Sequence, residues 1–241
     1  MDLAEQDMLE QLTAGFTLSW TDGVELARIS VGSFDLGAPA YRQVITVPGA
    51  SVETRVKAGH TWTQVTGPDI HEDVAACWMH FTTGRGRQGL AAAVPPVALM
   101  LIEPTAVGFR AGSDEDVVVD LLLDEATPAM MPKVANQLGW IDPTAKIQGV
   151  ATVRDGRYAA LEFSGADVIA AFDSEELPTA LGEFRGVLAS TRIRVEYGDF
   201  GATVQVPEPD AVEVIDFGSQ AEILASPPPS DEELETCAAN R

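Results

Sequence analysis

The feature that most constrains the fold is a series of short extended segments, separated by glycine, aspartate and proline, in the first third of the chain. Five segments follow one another at hairpin spacing. They cover residues 16–21, 24–36, 40–47, 51–59 and 61–67. In the fourth, Val52, Thr54, Val56 and Ala58 alternate with Glu53, Arg55 and Lys57. Since successive side chains of a strand point to opposite faces, the pattern predicts an antiparallel meander with one buried face.

The rest of the chain adds further strands and short helices. Residues 117–124 are predicted as a buried strand, and Asp155-Gly156 between two alternating segments predicts a β-hairpin. Two more strands are expected on either side of a turn at 198–201. A helix is predicted over 127–140, because Thr127 is a favourable N-cap and Pro128 is tolerated in the first turn. These elements predict an α+β fold.

The longest nearly uninterrupted apolar run is VPPVALMLIEP, Val94–Pro104. It is too short for a membrane helix, which needs about 20 apolar residues. Pro95 and Pro96 also prevent a continuous helix, because each removes a backbone donor. We therefore predict no transmembrane segment. The run is expected to be a broken helical cover whose apolar side faces the sheet.

Charge excludes one class of partner. The chain has 37 acidic and 15 basic residues among 241, for a formal net charge of −22. Such a surface repels phosphate backbones, so nucleic acid is not expected as a partner.

Motifs for catalysis, metals and cofactors do not stand out. His71 and His80 flank Cys77, with Glu72 adjacent, but their spacing fits no standard zinc pattern. We expect a solvated histidine and a cysteine that is packed or bridged elsewhere. GRGRQG, residues 84–89, matches GxGxxG in letters yet lacks a βαβ context, which favours a flexible basic loop. The prediction is a protein without enzymatic activity, cofactor or metal.

The two cysteines, Cys77 and Cys237, leave two alternatives open. In an exported protein they would form a single disulfide closing a very long loop. In a cytosolic protein they would be two unrelated thiols.

The order of elements resembles a known family. The N-terminal meander contains GSFDLGAPAYRQVITVPG and VETRVKAGHTWTQVTG, the later hairpin is VATVRDGRYAALEF, and the chain continues into IRVEYGDFGATVQVPEPDAVEVIDF. Over residues 16–217 these segments are similar to the actinobacterial envelope lipoproteins of the LppX/LprG type, which share a LolA-like fold. The resemblance implies a strongly curved antiparallel sheet, a half-barrel, with short helices covering its concave face.

In that family the space between sheet and helices is an apolar cavity for acyl chains. Taken singly, several apolar residues of this chain are expected to be plain core, and it is the resemblance that makes them, as a group, candidates for the cavity wall. They are Val97, Leu99, Met100, Ile102, Leu121, Leu123, Met130, Met131 and Leu138. Arg85 and Arg87 are candidates to meet an anionic headgroup. The implied partner is a lipid or acylated glycolipid, with peripheral membrane contact.

Boundaries and location follow from the same comparison. A single LolA-like domain is expected over 1–219, with an N-terminal helix, a meander, covering helices within 88–140 and C-terminal strands; 220–241 is expected to be a Pro-rich acidic tail. The residues given contain neither a signal peptide nor a lipobox cysteine. The implied location is the cell envelope, and the alternative is cytoplasmic or virion. A structural or protein-interaction component on the same scaffold is the alternative function.

Overall fold

The computed structural model describes residues 13–21, 26–38, 40–82, 105–111, 113–122, 145–171, 185–219 and 230–239. The chain divides into two compact units. The first comprises Met1–Leu12, Phe16–Ile29 and Pro96–Phe200, and the second comprises Thr13–Gly15, Ser30–Pro95 and Gly201–Arg241.

Most of the described residues lie in strands. These are β1 (Thr13–Thr21), β2 (Leu26–Asp35), β3 (Ala40–Val47), β4 (Ala50–Lys57), β5 (His60–Thr66), β6 (Trp78–Thr82), β7 (Thr105–Phe109), β8 (Asp116–Leu122), β9 (Lys146–Arg154), β10 (Arg157–Ser164), β11 (Arg192–Gly198) and β12 (Val214–Ser219). The described helices are few and short: α1 (Glu72–Ala76), α2 (Gly165–Ala171), α3 (Arg185–Ser190) and α4 (Asp231–Ala239). The protein is therefore α+β with a large antiparallel sheet, which confirms the fold class and the type of sheet predicted from the sequence.

The described strands are hydrogen-bonded in the order β12-β6-β5-β4-β3-β2-β1-β11-β10-β9-β8-β7. β12 and β7 stand at the two ends of that order, so the sheet is not closed. The pairs whose register is resolved are antiparallel except one, since β12 runs parallel to β6, with Val214 opposite Trp78.

Short turns set the register of the hairpins. Ala58 and Gly59 join β4 to β5 with φ of 51° and 83°, and Asp155 and Gly156 join β9 to β10 with φ of 51° and 74°. Two successive residues in the left-handed region make the tight turn that matches the twist of paired strands. The Asp-Gly hairpin and the five-strand meander predicted from the sequence are thus present.

Three segments differ from the sequence-based predictions. Residues 202–210 were expected to form a strand after the turn at 198–201, but they have no regular secondary structure. Pro207 and Pro209 lack the N–H that a ladder needs. The predicted region of covering helices, 88–140, contains strand β7 where it is described, whereas β8 agrees with the buried strand predicted over 117–124. The predicted tail, 220–241, contains helix α4, which a capping box begins.

That capping box explains why α4 starts at Asp231. The backbone N–H of Glu233 donates to Ser230 Oγ at 3.3 Å, and the backbone N–H of Ser230 donates to the Glu233 carboxylate at 2.8 Å. Two backbone donors that a helix start leaves without partners are therefore satisfied reciprocally.

Candidate functional site

Only one of the predicted cavity residues falls in the part of the chain that the structure describes. Leu121 lies on β8 in the first unit and is 1% exposed. The other cavity candidates lie outside the described residues: Val97, Leu99, Met100, Ile102, Leu123, Met130, Met131 and Leu138. The headgroup candidates Arg85 and Arg87 lie outside them as well.

Leu121 belongs to an apolar face formed by strands β8 to β11. Cross-strand neighbours share a face, and here they form two rows of buried residues. One row is Val117, Ala151, Leu161 and Val195, and the other is Val119, Gly149, Phe163 and Ile193. Leu121 pairs with Ile147 beyond the second row. No polar side chain interrupts these rows, so this face of the first unit is apolar across four strands.

Helix α2 follows directly after β10 and contacts β9 and β10. Its first turn is capped by Ser164, whose Oγ accepts the backbone N–H of Ala166 at 3.0 Å and that of Asp167 at 3.3 Å. Val168 and Ile169 of the helix are buried.

The opposite face of these strands is charged. Glu162 on β10 accepts from Arg192 at 3.5 Å and from Arg194 at 3.4 Å, and Arg194 also contacts Glu196 at 3.2 Å. These pairs are substantially exposed, and exposed pairs contribute little stability. They identify the solvent side of the sheet, and therefore the apolar rows as its inner side.

A disulfide between Cys77 and Cys237 joins two distant parts of the second unit. The Cα atoms are 5.9 Å apart, and the residues are 160 positions apart in the chain. Around the bond, Ala76 and Ile215 are buried, and Phe217, Leu234 and Ala238 pack against them. Of the two alternatives that the sequence leaves open, the structure has the bonded one.

A second cluster, the histidine cluster, comprises His60, Trp62, His80 and Asp216 on strands β5, β6 and β12. His60 Nδ1 lies 3.0 Å from His80 Nε2, and His80 Nδ1 lies 3.0 Å from Asp216 Oδ1. Register explains the proximity, because Trp62 pairs with His80 and His80 pairs with Asp216 across the sheet. His60 is two residues before Trp62 on the same face.

The direction of the hydrogen bonds follows from the carboxylate. An ionised carboxylate only accepts, so His80 donates from Nδ1 to Asp216. In a neutral imidazole the other nitrogen then accepts, and His60 Nδ1 is the donor to His80 Nε2. The two imidazole centroids are 5.2 Å apart, which is close to the 3.0 Å nitrogen separation plus one ring radius at each end. The two nitrogens therefore point almost straight at each other.

The ionised state of Asp216 is supported locally. Its pKa is lowered first by a hydrogen bond from the backbone N–H of Gly218, at 2.9 Å, and further by the hydrogen bond and charge of His80, against the opposing effect of burial. The His80 side chain is 14% exposed and that of Asp216 is 67% exposed. Asp216 thus holds His80 in one orientation from the solvent side.

Trp62 lies against both imidazoles. Its ring centroid is 5.7 Å from that of His60 and 5.4 Å from that of His80, with interplanar angles of 23° and 30°. Trp62 is buried at 7% exposure. The indole therefore lies along one side of the His60–His80 pair.

The next residues in the same cross-strand row are basic. Arg55 pairs with Trp62, and Arg42 pairs with Arg55. Both arginines donate from Nε to one oxygen of Glu53, at 2.7 and 2.8 Å. The Arg55 guanidinium also lies 4.1 Å over the ring of Trp78 and donates to the Pro207 carbonyl oxygen at 3.0 Å. These side chains are mutually satisfied, which indicates a structural role for this part of the row.

The sequence did not predict the histidine cluster. His71 is exposed near the start of α1, in agreement with a solvated histidine, but His80 is largely shielded. In the sequence, His80 is close to His71 and Cys77. In the structure, its hydrogen-bond partners are His60 and Asp216, which are 20 and 136 positions away in the chain. The pairing of β5 with β6, which α1 connects, and the parallel pairing of β12 with β6 bring these residues together. Neither pairing leaves a local pattern in the sequence.

In the ranges that the structure covers, no group of three His, Cys, Asp or Glu side chains could hold a metal ion. None of the helices described is long and apolar enough to cross a membrane. No protein-family model matches the chain, and comparison with curated proteins finds no match either.

Proposed function

We propose that the protein is a non-enzymatic lipid carrier with a strongly curved, LolA-like half-barrel, related to the LppX/LprG-type lipoproteins. It holds acyl chains of a lipid or glycolipid against the apolar face of the first unit. The observation that carries the proposal is the pair of rows, Val117 to Val195 and Val119 to Ile193, in which four neighbouring strands present only apolar groups. An acyl chain needs such a surface and no polar chemistry.

An acyl chain buried against such a surface would gain enough free energy for binding. Each buried methylene contributes about 0.8 kcal/mol, so ten of them contribute about 8 kcal/mol. That is near the free energy of binding at a Kd of about 1 μM, before the costs of association and ordering are subtracted. A long acyl chain can therefore bind through burial alone, with its headgroup at the rim.

The disulfide supports a location outside the cytoplasm. Disulfides persist in oxidising compartments, whereas cytosolic thiols are kept reduced. Cys77 and Cys237 are both buried, at 2% and 4% exposure, as expected of a structural bond. A carrier in the cell envelope would fold under those oxidising conditions.

One observation favours the alternative, a structural or protein-interaction component that uses the same scaffold without a ligand. A Cβ added to Gly149, in the middle of the second apolar row, would lie only 2.8 Å from Leu121 Cδ1. At that point side chains already fill the space against the sheet. The two functions therefore differ in whether the remaining surface of the face accepts a ligand.

A chain-length series separates the two functions. Saturated fatty acids of 8 to 18 carbons are titrated into delipidated protein against a fluorescent acyl probe. For a carrier, the affinity rises about fourfold per methylene until the apolar face is covered, because 0.8 kcal/mol corresponds to that factor. An affinity independent of chain length, together with no copurifying lipid in native mass spectrometry and solvent extraction, contradicts the carrier function.

A matched pair of variants places the ligand on this face. Leu121→Ala shortens the apolar wall, and we expect it to change the chain-length dependence. Leu122→Ala removes the same number of carbons from the same strand on its opposite side and should leave that dependence unchanged. Circular dichroism of both variants verifies that the sheet is retained. Equal effects of the two substitutions would show that the probe binds elsewhere.

A further inference from the structure

We propose that His60 and His80 form an open two-histidine site for a late first-row divalent metal ion, with Cu²⁺ bound most tightly. The site lies in the second unit, whereas the apolar rows of the proposed lipid surface lie in the first. Its basis is the position of two imidazole nitrogens, His60 Nδ1 and His80 Nε2, 3.0 Å apart on neighbouring strands. Imidazole is a preferred ligand of Zn²⁺, Ni²⁺ and Cu²⁺.

The distance between the nitrogens suits one ion. Two metal–nitrogen bonds of about 2.0–2.1 Å enclose an angle of roughly 91–97° when the nitrogens are 3.0 Å apart. That angle is the one between neighbouring ligands in the tetragonal complexes of Cu²⁺ and Ni²⁺. A tetrahedral Zn²⁺ needs a slightly wider separation, so the site favours the tetragonal ions.

The metal takes the place of the Nδ1 proton of His60, which moves to Nε2 of the same ring, so that both imidazoles bind as neutral ligands. Because both bonds are longer than half of 3.0 Å, the ion lies to one side of the line between the nitrogens, and His60 turns toward it while Asp216 holds His80. His60 can turn, since it is exposed and follows directly after the Ala58-Gly59 turn. Trp62 lies along one side of the pair, and the ion binds on the other.

Asp216 prepares His80 for this role. It accepts the Nδ1–H of His80 at 3.0 Å, which fixes the tautomer and presents the Nε2 lone pair. A carboxylate on the remote nitrogen of a metal-binding histidine orients the ring and makes the ligand more basic. The backbone N–H of Gly218 donates to the Asp216 carboxylate. Gly218 therefore fixes the position of the carboxylate that orients His80.

The surrounding charges permit a cation. Lys57 lies directly opposite His60, but its Nζ is 3.0 Å from the Glu208 carboxylate, which offsets its charge. The chain as a whole carries a formal charge of −22, which attracts cations from solution. With two protein nitrogens as the ligands, the remaining coordination positions are filled by water or by donor atoms of a bound molecule.

The composition of the chain makes the site testable. There are three histidines in the whole sequence, and the two cysteines are joined in a disulfide. A thiolate therefore does not compete for the metal. His71 is exposed near the start of α1, which makes it a matched control for imidazole binding to a single surface histidine.

The experiment titrates Cu²⁺, Ni²⁺, Zn²⁺ and Mg²⁺ into untagged protein by calorimetry and records the Cu²⁺ paramagnetic resonance spectrum. We expect one Cu²⁺ per chain with two coupled nitrogens, weaker binding of Ni²⁺ and Zn²⁺, and no binding of Mg²⁺. His60→Ala and His80→Ala each weaken Cu²⁺ at least tenfold, His71→Ala leaves it unchanged, and Asp216→Asn weakens it 10–100-fold.

Trp62 supplies a second readout tied to the geometry. Bound Cu²⁺ quenches the fluorescence of a nearby indole, so Trp62→Phe should remove most of the quenching and retain the affinity. His60→Ala keeps the test decisive even if His80→Ala fails to fold, because His60 is exposed. Unchanged Cu²⁺ affinity in His60→Ala, or a spectrum without two coupled nitrogens, overturns the proposal.

Discussion

Leu121 on β8 crosses directly over Gly149 on β9, and a Cβ at residue 149 would lie 2.8 Å from Leu121 Cδ1 and 3.0 Å from the backbone oxygen of Glu162. The absence of a side chain at Gly149 is what allows the two strands to carry a large leucine at this point of the apolar face. Close packing of this kind leaves no room for even one methyl group.

Gly149→Ala is therefore expected to destabilise the protein by about 1–3 kcal/mol, because the added methyl overpacks the face. Chemical denaturation measures the change in the free energy of unfolding. Gly198→Ala is the control, since nothing lies within 4 Å of a Cβ at that glycine. Combining Gly149→Ala with Leu121→Ala should recover part of the loss. Additive effects of the two substitutions would contradict the contact.

The ion pairs of Glu53 predict a dependence of stability on acid. Burial raises the pKa of Glu53, but the hydrogen bonds and charges of Arg42 and Arg55 outweigh it and hold the pKa below its ordinary value. A carboxyl whose pKa is lower in the folded state stabilises the fold above its unfolded pKa, and this contribution is lost as the pH falls through the folded pKa.

The stability of the native protein should consequently decline below about pH 4, the ordinary range of glutamate, and Glu53→Gln should remove part of that decline. Urea denaturation at a series of pH values from 7 to 3 measures the effect. Glu235→Gln, at an exposed position of α4, is the control for loss of one charge. Identical pH profiles for Glu53→Gln and the native protein would refute the assignment.

Tyr41 predicts a dependence at the alkaline end. Burial raises the pKa of Tyr41 to about 12 from 10.0. Because the folded pKa is the higher one, the contribution of the neutral phenol to stability is fully present below pH 10 and is lost as the pH rises toward 12. Tyr41→Phe should flatten the stability profile in this window. Ultraviolet titration of the phenols should also show one fewer late-titrating tyrosine; an unchanged titration would contradict the burial effect.

Removal of the disulfide tests what holds α4 in the second unit. Cys77→Ala combined with Cys237→Ala should lower the free energy of unfolding by about 2–5 kcal/mol, as for native disulfides in small secreted domains. Hydrogen exchange should rise first in Asp231–Ala239, since a short helix has little stability of its own. Ser230→Ala removes the N-cap of α4 at a cost of about 1 kcal/mol. Its hydrogen exchange in α4 is the reference against which the effect of removing the disulfide is compared. Unaltered exchange in α4 would show that packing alone holds it.

The fold was predictable where the signal is local. Alternation in Val52–Lys57 and the Asp155-Gly156 turn each specify a hairpin through neighbouring residues, so strands and register follow from short windows of sequence. Residues 202–210 show the limit of that approach. Their alternating pattern favours a strand, but the segment has no ladder, and instead contacts β4 through the Pro207 carbonyl oxygen and Glu208.

The histidine cluster was not predictable because it depends on pairing between distant strands. Nothing near His80 in the sequence indicates that Asp216 will lie beside it, since β12 is a parallel neighbour of β6. Parallel pairs lack the hairpin turn that announces an antiparallel one. Of the apolar candidates, Leu121 could be assigned to a buried strand from the apolar residues of 117–124.

The parallel pairing of β6 with β12 also bears on how the protein is made. β6 leaves the ribosome 136 residues before the strand that pairs with it, as the separation of His80 and Asp216 shows. Until residues 214–219 emerge, the edge of β6 has no partner, and exposed edges are templates for association with other chains. During synthesis, the edge of β6 thus stays unpaired for longer than the strand edges of the early hairpins, and it is the part of the second unit most open to association with other chains.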